Sequence, residues 1–139
     1  TKFKWTKRVI AYTVLLFVLI ATLSFLLFTR RDFETTIVRQ RGTTYQMGDN
    51  GIVSNIYEIN LTNKTQTDYS VTLQLEEKGE VESVVKKMIL KKEGVLKERF
   101  IVKIPNSEIE NGKKIIHIKI IGNGKEIENV KTKFIGPLL

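Results

Sequence analysis

Twenty consecutive residues, Val9 to Phe28, carry no charge, no glycine and no proline. At about 1.5 Å of rise per residue, a helix of that length reaches roughly 30 Å, the thickness of the hydrocarbon core of a bilayer. Leu, Ile, Val and Phe each favour insertion by about 0.3–0.6 kcal/mol, and no Asp, Lys or Arg inside the run opposes them. Tyr12, Thr13, Thr22 and Ser24 are tolerated there, because hydroxyls bond back to the preceding turn or to a neighbouring helix. Lys2, Lys4, Lys7 and Arg8 precede the run with Trp5 among them, and Arg30 and Arg31 close it. Such basic side chains snorkel into headgroups, and an indole sits at the interface. We read residues 1–8 as a basic juxtamembrane segment and 9–28 as a transmembrane helix anchored by Lys4, Trp5, Lys7, Arg8, Arg30 and Arg31, with the lipid bilayer as its partner. The competing readings fit less well: a buried core helix carries a polar face, and a signal peptide has a shorter apolar run and a small-x-small cleavage site.

The remainder, about 110 residues, suffices for one small domain with its own core. Of the net charge of +8, the four basic residues before the run supply half. The other basic residues are interspersed with acidic ones along the chain, which does not make the clustered, aromatic-studded face of a nucleic-acid binder. Cysteine is absent, so no disulfide staples the domain and no thiolate holds a metal cluster within it. That absence and the domain's position after the helix suit an exported C-terminus. Four basic residues flank the run on either side, Arg30, Arg31, Arg39 and Arg41 on the far one, so charge alone leaves the orientation open.

After Arg31 the pattern changes to alternation with a period of two, the mark of half-buried strands. Phe33–Arg39 begins it, with 29–42 as connector and first strand. Turn residues then follow, ending in Asp49-Asn50-Gly51. Val53–Leu61 places Val53, Tyr57, Ile59 and Leu61 on one face, and Tyr69–Leu75 alternates most regularly. Val81–Leu90 reads as one less regular strand. Leu96, Phe100, Val102 and Ile104 face one way until Pro105 ends the pairing. Ile116, Ile118 and Ile120 point inward on Lys114–Ile121, and Ile127–Phe134 closes the chain. Asn111-Gly112 and Gly122-Asn123-Gly124 mark turns. The expected fold is mainly β: one N-terminal transmembrane helix followed by a seven-stranded antiparallel immunoglobulin-like β-sandwich over 33–139.

The order of segments is also familiar. Lys7-Arg8-Val9-Ile10-Ala11-Tyr12 opens the helix, and Thr29-Arg30-Arg31 leads into Phe33-Glu34-Thr35-Thr36-Ile37-Val38-Arg39-Gln40-Arg41-Gly42. Gly51, Asn55, Tyr57, Ile59, Leu61 and Asn63 form a Gly-x-x-x-Asn-x-Tyr-x-apolar-x-apolar-x-Asn pattern, and the end reads Phe134-Ile135-Gly136-Pro137. Taken in this order, the chain resembles the C-terminal third of the FixG/CcoG (RdxA) family of cytochrome c oxidase accessory proteins. The resemblance implies a longer, multi-span protein of the bacterial inner membrane with a periplasmic immunoglobulin-like domain. It further implies two [4Fe-4S] clusters held by cysteines elsewhere in that protein, membrane partners in oxidase assembly, and a role in electron transport and copper handling for cbb3-type oxidase. This chain has no cysteine, so the cluster ligands map onto none of its residues, and the expectation for the chain itself is a non-enzymatic interaction module without a cofactor. The alternative is a signal-anchored structural or adhesive surface protein.

For metal binding the donors at hand are His117, Met47 and Met88, a set that would suit copper(I). A lone strand histidine is more often surface decoration, and methionine more often fills a core gap. Glu76, Glu77, Glu80 and Glu82 cluster at a turn and read as a solvated loop. Asn60-Leu61-Thr62 and Asn63-Lys64-Thr65 match the glycosylation sequon, a short pattern common by chance. Tyr45, Tyr57 and Tyr69 are the aromatics to test for docking, although core packing accounts better for the last two.

Overall fold

The computed structural model describes residues 5–85 and 87–138. The chain forms two compact units, Thr1–Arg31 and Asp32–Leu139.

The first unit is a helix, α1 (Lys7–Phe28), which begins two residues before the uncharged run and ends where it ends. Thr6 caps its start by accepting from the Val9 N–H at 3.4 Å. The hydroxyls behave as expected in an apolar surrounding: Thr13 donates to the Val9 carbonyl at 2.9 Å and Thr22 to the Val18 carbonyl at 2.8 Å. Thr29 closes the last turn through its N–H and hydroxyl, both bonded to the Phe25 carbonyl. None of the helix's side chains is buried, so its apolar surface faces outward on all sides, as in a segment that uses lipid as its solvent. Trp5, Lys7 and Arg8 are exposed at its start, and Arg30 and Arg31 just past its end. Lys2 and Lys4 lie outside the described residues.

The second unit is a two-layer antiparallel sandwich. Nine strands occur among the described residues: β1 (Phe33–Arg39), β2 (Gln46–Met47), β3 (Ile52–Asn63), β4 (Tyr69–Leu75), β5 (Glu80–Ser83), β6 (Met88–Leu90), β7 (Val95–Pro105), β8 (Lys113–Gly122) and β9 (Lys125–Ile135). One sheet runs β1-β3-β7-β5, with β2 also paired to β3; the other runs β6-β4-β8-β9. The alternation predicts the faces well. Val53, Tyr57, Ile59 and Leu61 of β3 and Phe100, Val102 and Ile104 of β7 are buried, and meet Val71, Leu73, Ile116, Ile118 and Ile120 from the facing sheet. Each such side chain contributes about 1.5–3 kcal/mol by leaving water.

Nine strands replace the expected seven for two reasons. β2 has two residues, too few to show any period. The expected strand Val81–Leu90 is two strands in different sheets: β5 pairs with β7, and β6 pairs with β4. Its inward residues change parity, from Val81 to Met88 and Leu90. Because side chains alternate strictly along a strand, such a change demands a break. The chain bends after Ser83 and crosses from one layer to the other. The tight β8–β9 hairpin is as predicted, with Asn123 and Gly124 at φ 49° and 81°, both in the region that asparagine and glycine tolerate.

Candidate functional site

The polar residues of the Gly-x-x-x-Asn-x-Tyr pattern point into the sandwich. On β3, Asn55 and Tyr57 share the inward face with Val53, and both are buried. Asn55 Nδ2 donates to the Ile135 carbonyl at 2.9 Å, and the Tyr57 hydroxyl donates to the Lys133 carbonyl at 2.9 Å. Two donors spaced two residues apart on one sheet thus engage carbonyls spaced two residues apart on β9 of the other. Burial pushes the Tyr57 hydroxyl up to about 12, outweighing the opposite pull of Asn55 and Arg39, so the phenol keeps the proton that this bond requires. Its ring stacks on Phe100 with centroids 5.6 Å apart. The closing Phe134-x-Gly136 belongs to the same end of the molecule. Phe134 is fully buried, and Gly136 lies so close to Ile109 that a Cβ would sit 2.8 Å from its Cδ1.

Asn63, the last residue of the pattern, is a second buried polar node. Its Nδ2 donates to the carbonyls of Thr67 (2.7 Å) and Lys91 (3.0 Å), and its Oδ1 accepts from the N–H and hydroxyl of Thr65. The Asn63-Lys64-Thr65 sequon is therefore a turn lock whose amide nitrogen is occupied. Strand parity signals both nodes, since Asn55 and Asn63 fall in phase with Val53, Tyr57 and Leu61. The apolar alternation alone marks Val53, Tyr57, Ile59 and Leu61 and passes over the asparagines.

The metal candidates are not brought together: Met88 and His117 share a sheet but face opposite sides of it, and Met47 lies in the other sheet. Met88 is buried in the core, with its sulfur 3.8 Å from Ser83 Oγ. Met47 lies exposed on β2 in the other sheet. His117 is on the outward face of β8, where it is more than decoration: Glu77 Oε1 is 2.7 Å from its Nδ1, and both carboxylate oxygens accept from its backbone N–H, at 3.1 and 3.0 Å. Among the described residues, no group of three or more His, Cys, Asp or Glu side chains is placed to hold a metal ion.

The acidic turn is not simply solvated. Glu76 bonds Asn129 Nδ2 at 3.2 Å and lies 3.6 Å from Lys119, and Glu82 pairs with Lys103. The carboxylates are divided among separate strand partners and do not converge. Lacking cysteine, the chain also lacks the thiolate donors that a [4Fe-4S] cluster requires. In a surface depression lined by Glu58, Lys97 and Arg99, the charges pair with one another, with Glu58 3.3 Å from Lys97 and 4.0 Å from Arg99.

The Glu77 contact is testable through pH. Partial burial raises the carboxyl, but the bonds from His117 outweigh it and hold the group below its ordinary 4.5. With the folded value below the unfolded one, the stabilisation is complete above the unfolded value and is lost as pH falls through the folded one. Glu77→Gln is expected to cost about 1–2 kcal/mol at neutral pH. The gap between variant and parent in urea melts should close in acid, below the folded value. A gap unchanged in acid would assign the cost to shape and not to charge.

The comparisons agree with this architecture. Residues 23–137 match the family model described as "IG-like fold at C-terminal of FixG, putative oxidoreductase". The fold is similar to the crystal structure of a FixG-related protein from Vibrio parahaemolyticus, with a TM-score of 0.60 and 20% identity over 77% of this chain and 98% of that one. No curated protein matches the chain. With the match running from inside the helix through Phe134-x-Gly136-Pro137, the chain belongs to the family of FixG C-terminal immunoglobulin-like domains.

Proposed function

We propose that this chain is the membrane-anchored, extracytoplasmic interaction module of an accessory protein for cbb3-type oxidase assembly, with α1 as its anchor in the bacterial inner membrane. The observation that carries the reading is the family match, which begins at residue 23, inside the last turns of the apolar helix, and spans the whole sandwich. A sandwich tied to a bilayer moves in a thin layer above it, which raises its effective concentration for other membrane proteins. Electron transfer and copper chemistry are assigned to iron–sulfur parts of a longer protein, and the sandwich to docking. Its polar nodes support that division: Asn55 Nδ2, the Tyr57 hydroxyl and the Asn63 amide are engaged in internal bonds, which leaves the sheet faces and edges as contact surfaces.

The test has two parts. The full chain should float with vesicles through a sucrose gradient after carbonate washing, and Leu19→Arg, which costs about 2.5–3.5 kcal/mol at mid-helix, should reduce that fraction. In spheroplasts of a bacterial host, added protease should then digest the sandwich without lysis. A chain that stays soluble would overturn the anchor, and a sandwich protected until lysis would overturn its extracytoplasmic placement.

A further inference from the structure

Three Asn-Gly pairs punctuate the chain, Asn50-Gly51, Asn111-Gly112 and Asn123-Gly124. Glycine suits such turns because it has no Cβ, and for the same reason its backbone nitrogen is the least hindered one that can attack a preceding asparagine amide, a thermolabile group. The fold restrains the three pairs differently.

Asn123 is held at both ends of its amide: Oδ1 accepts from the Ser70 N–H at 2.9 Å, and Nδ2 donates to the Asp68 carbonyl at 3.1 Å. Turning its Cγ toward the Gly124 nitrogen would break both bonds. At Asn50 the nucleophile is engaged instead, since the Gly51 N–H donates to the Gly48 carbonyl at 3.2 Å. Neither restraint operates at Asn111. Its side chain is exposed, and among the described residues neither its amide nor the Gly112 N–H has a hydrogen-bond partner. Asn111 and Gly112 are the two central residues of a tight turn, with φ 52° and 69°. The Lys113 N–H closes it on the Glu110 carbonyl at 3.1 Å, so the turn's own bond spans the pair and leaves the central N–H unused.

We infer that Asn111 is a site of spontaneous deamidation, which makes this neutral turn residue anionic and, in the isoaspartyl product, lengthens the main chain. The Gly112 nitrogen attacks Asn111 Cγ. A bond forms between them, the bond from Cγ to Nδ2 breaks, and Nδ2 leaves as ammonia with the proton that the Gly112 nitrogen gives up. Water then opens the cyclic imide at one of its two carbonyls. One opening gives aspartate; the other gives isoaspartate, in which the main chain runs through the former side chain and gains a methylene.

The turn sits where that extra methylene is felt. Gly112 is buried, its carbonyl accepts from the Gly136 N–H at 2.9 Å, and a Cβ on it would lie 3.1 Å from Leu138 Cδ2. Lengthening the turn displaces Gly112 from this packing and loosens its bond to Gly136, in the closing Phe134-x-Gly136-Pro137 segment. Aspartate adds only charge, next to Glu110 in the chain.

The test follows all three pairs at once. Full-length chain in detergent micelles would be aged in mildly alkaline buffer beside a sample unfolded in urea, with each pair followed by peptide mass spectrometry and isoaspartate identified by enzymatic carboxyl methylation. In urea the three pairs should react at similar rates, because their folded-state bonds are gone. In the folded chain Asn111 should react severalfold faster than Asn50, and Asn123 should remain intact. Hydrogen exchange at the Gly136 amide should quicken as isoaspartate accumulates and stay unchanged in Asn111→Asp, which carries the charge without the methylene. Asn111 reacting no faster than Asn50 or Asn123 in the folded chain would overturn the inference. A Gly136 amide indifferent to isoaspartate would overturn the structural consequence drawn from it.

Discussion

Replacing Asn63 by Asp is expected to destabilise the sandwich by about 3–5 kcal/mol at neutral pH, the scale of an uncompensated buried charge. The change is nearly isosteric, yet it turns a donor into an acceptor facing the carbonyl oxygens of Thr67 and Lys91, at 2.7 and 3.0 Å. The side chain is 1% exposed, so water cannot repair the mismatch. Burial and the facing carbonyls raise the pKa of the introduced carboxyl, so the excess cost should shrink in acid as it takes up a proton and can donate one bond. Urea melts of both proteins across the acid range would measure this. Hydrogen exchange should localise the loss to loops 64–68 and 91–94, because this one amide holds both. A loss below about 1 kcal/mol would mean that the amide bonds add no more than average ones.

Tyr57→Ala should cost a similar amount, about 3–5 kcal/mol, by opening a cavity beside Phe100 and leaving the Lys133 carbonyl without its donor. Tyr57→Phe divides the two effects. It keeps the stack on Phe100 and removes only the bond to β9, for an expected loss of about 1–3 kcal/mol. Equal losses in the two variants would mean that the hydroxyl, not the ring, holds the sheets together. Both variants are to be read in thermal and denaturant melts of the full chain.

Much of the sandwich was legible because one periodicity governs it. Every apolar residue that we placed inward on β3, β7 and β8 is buried. The Asn-Gly turns could be located because few residues accept positive φ. The division of Val81–Leu90 was also written in the chain, as the parity change before Met88, but reading it required knowing that a second sheet lay within reach. The contact between Glu77 and His117 was hidden for another reason. It joins residues 40 apart that share no local pattern, and only the pairing of β4 with β8 brings them together.

The amino-acid order by itself determined an uncharged run long enough to cross a bilayer as a helix and a β domain with one apolar face per strand, since the first follows from length and composition and the second from a local period of 2. The tertiary structure alone decided which sheet each strand joins, and that Asn55 and Tyr57 bridge the two layers. Those outcomes depend on which distant segments become neighbours, and neighbourhood across a sandwich is fixed by the closing of its core, not by any spacing along the chain.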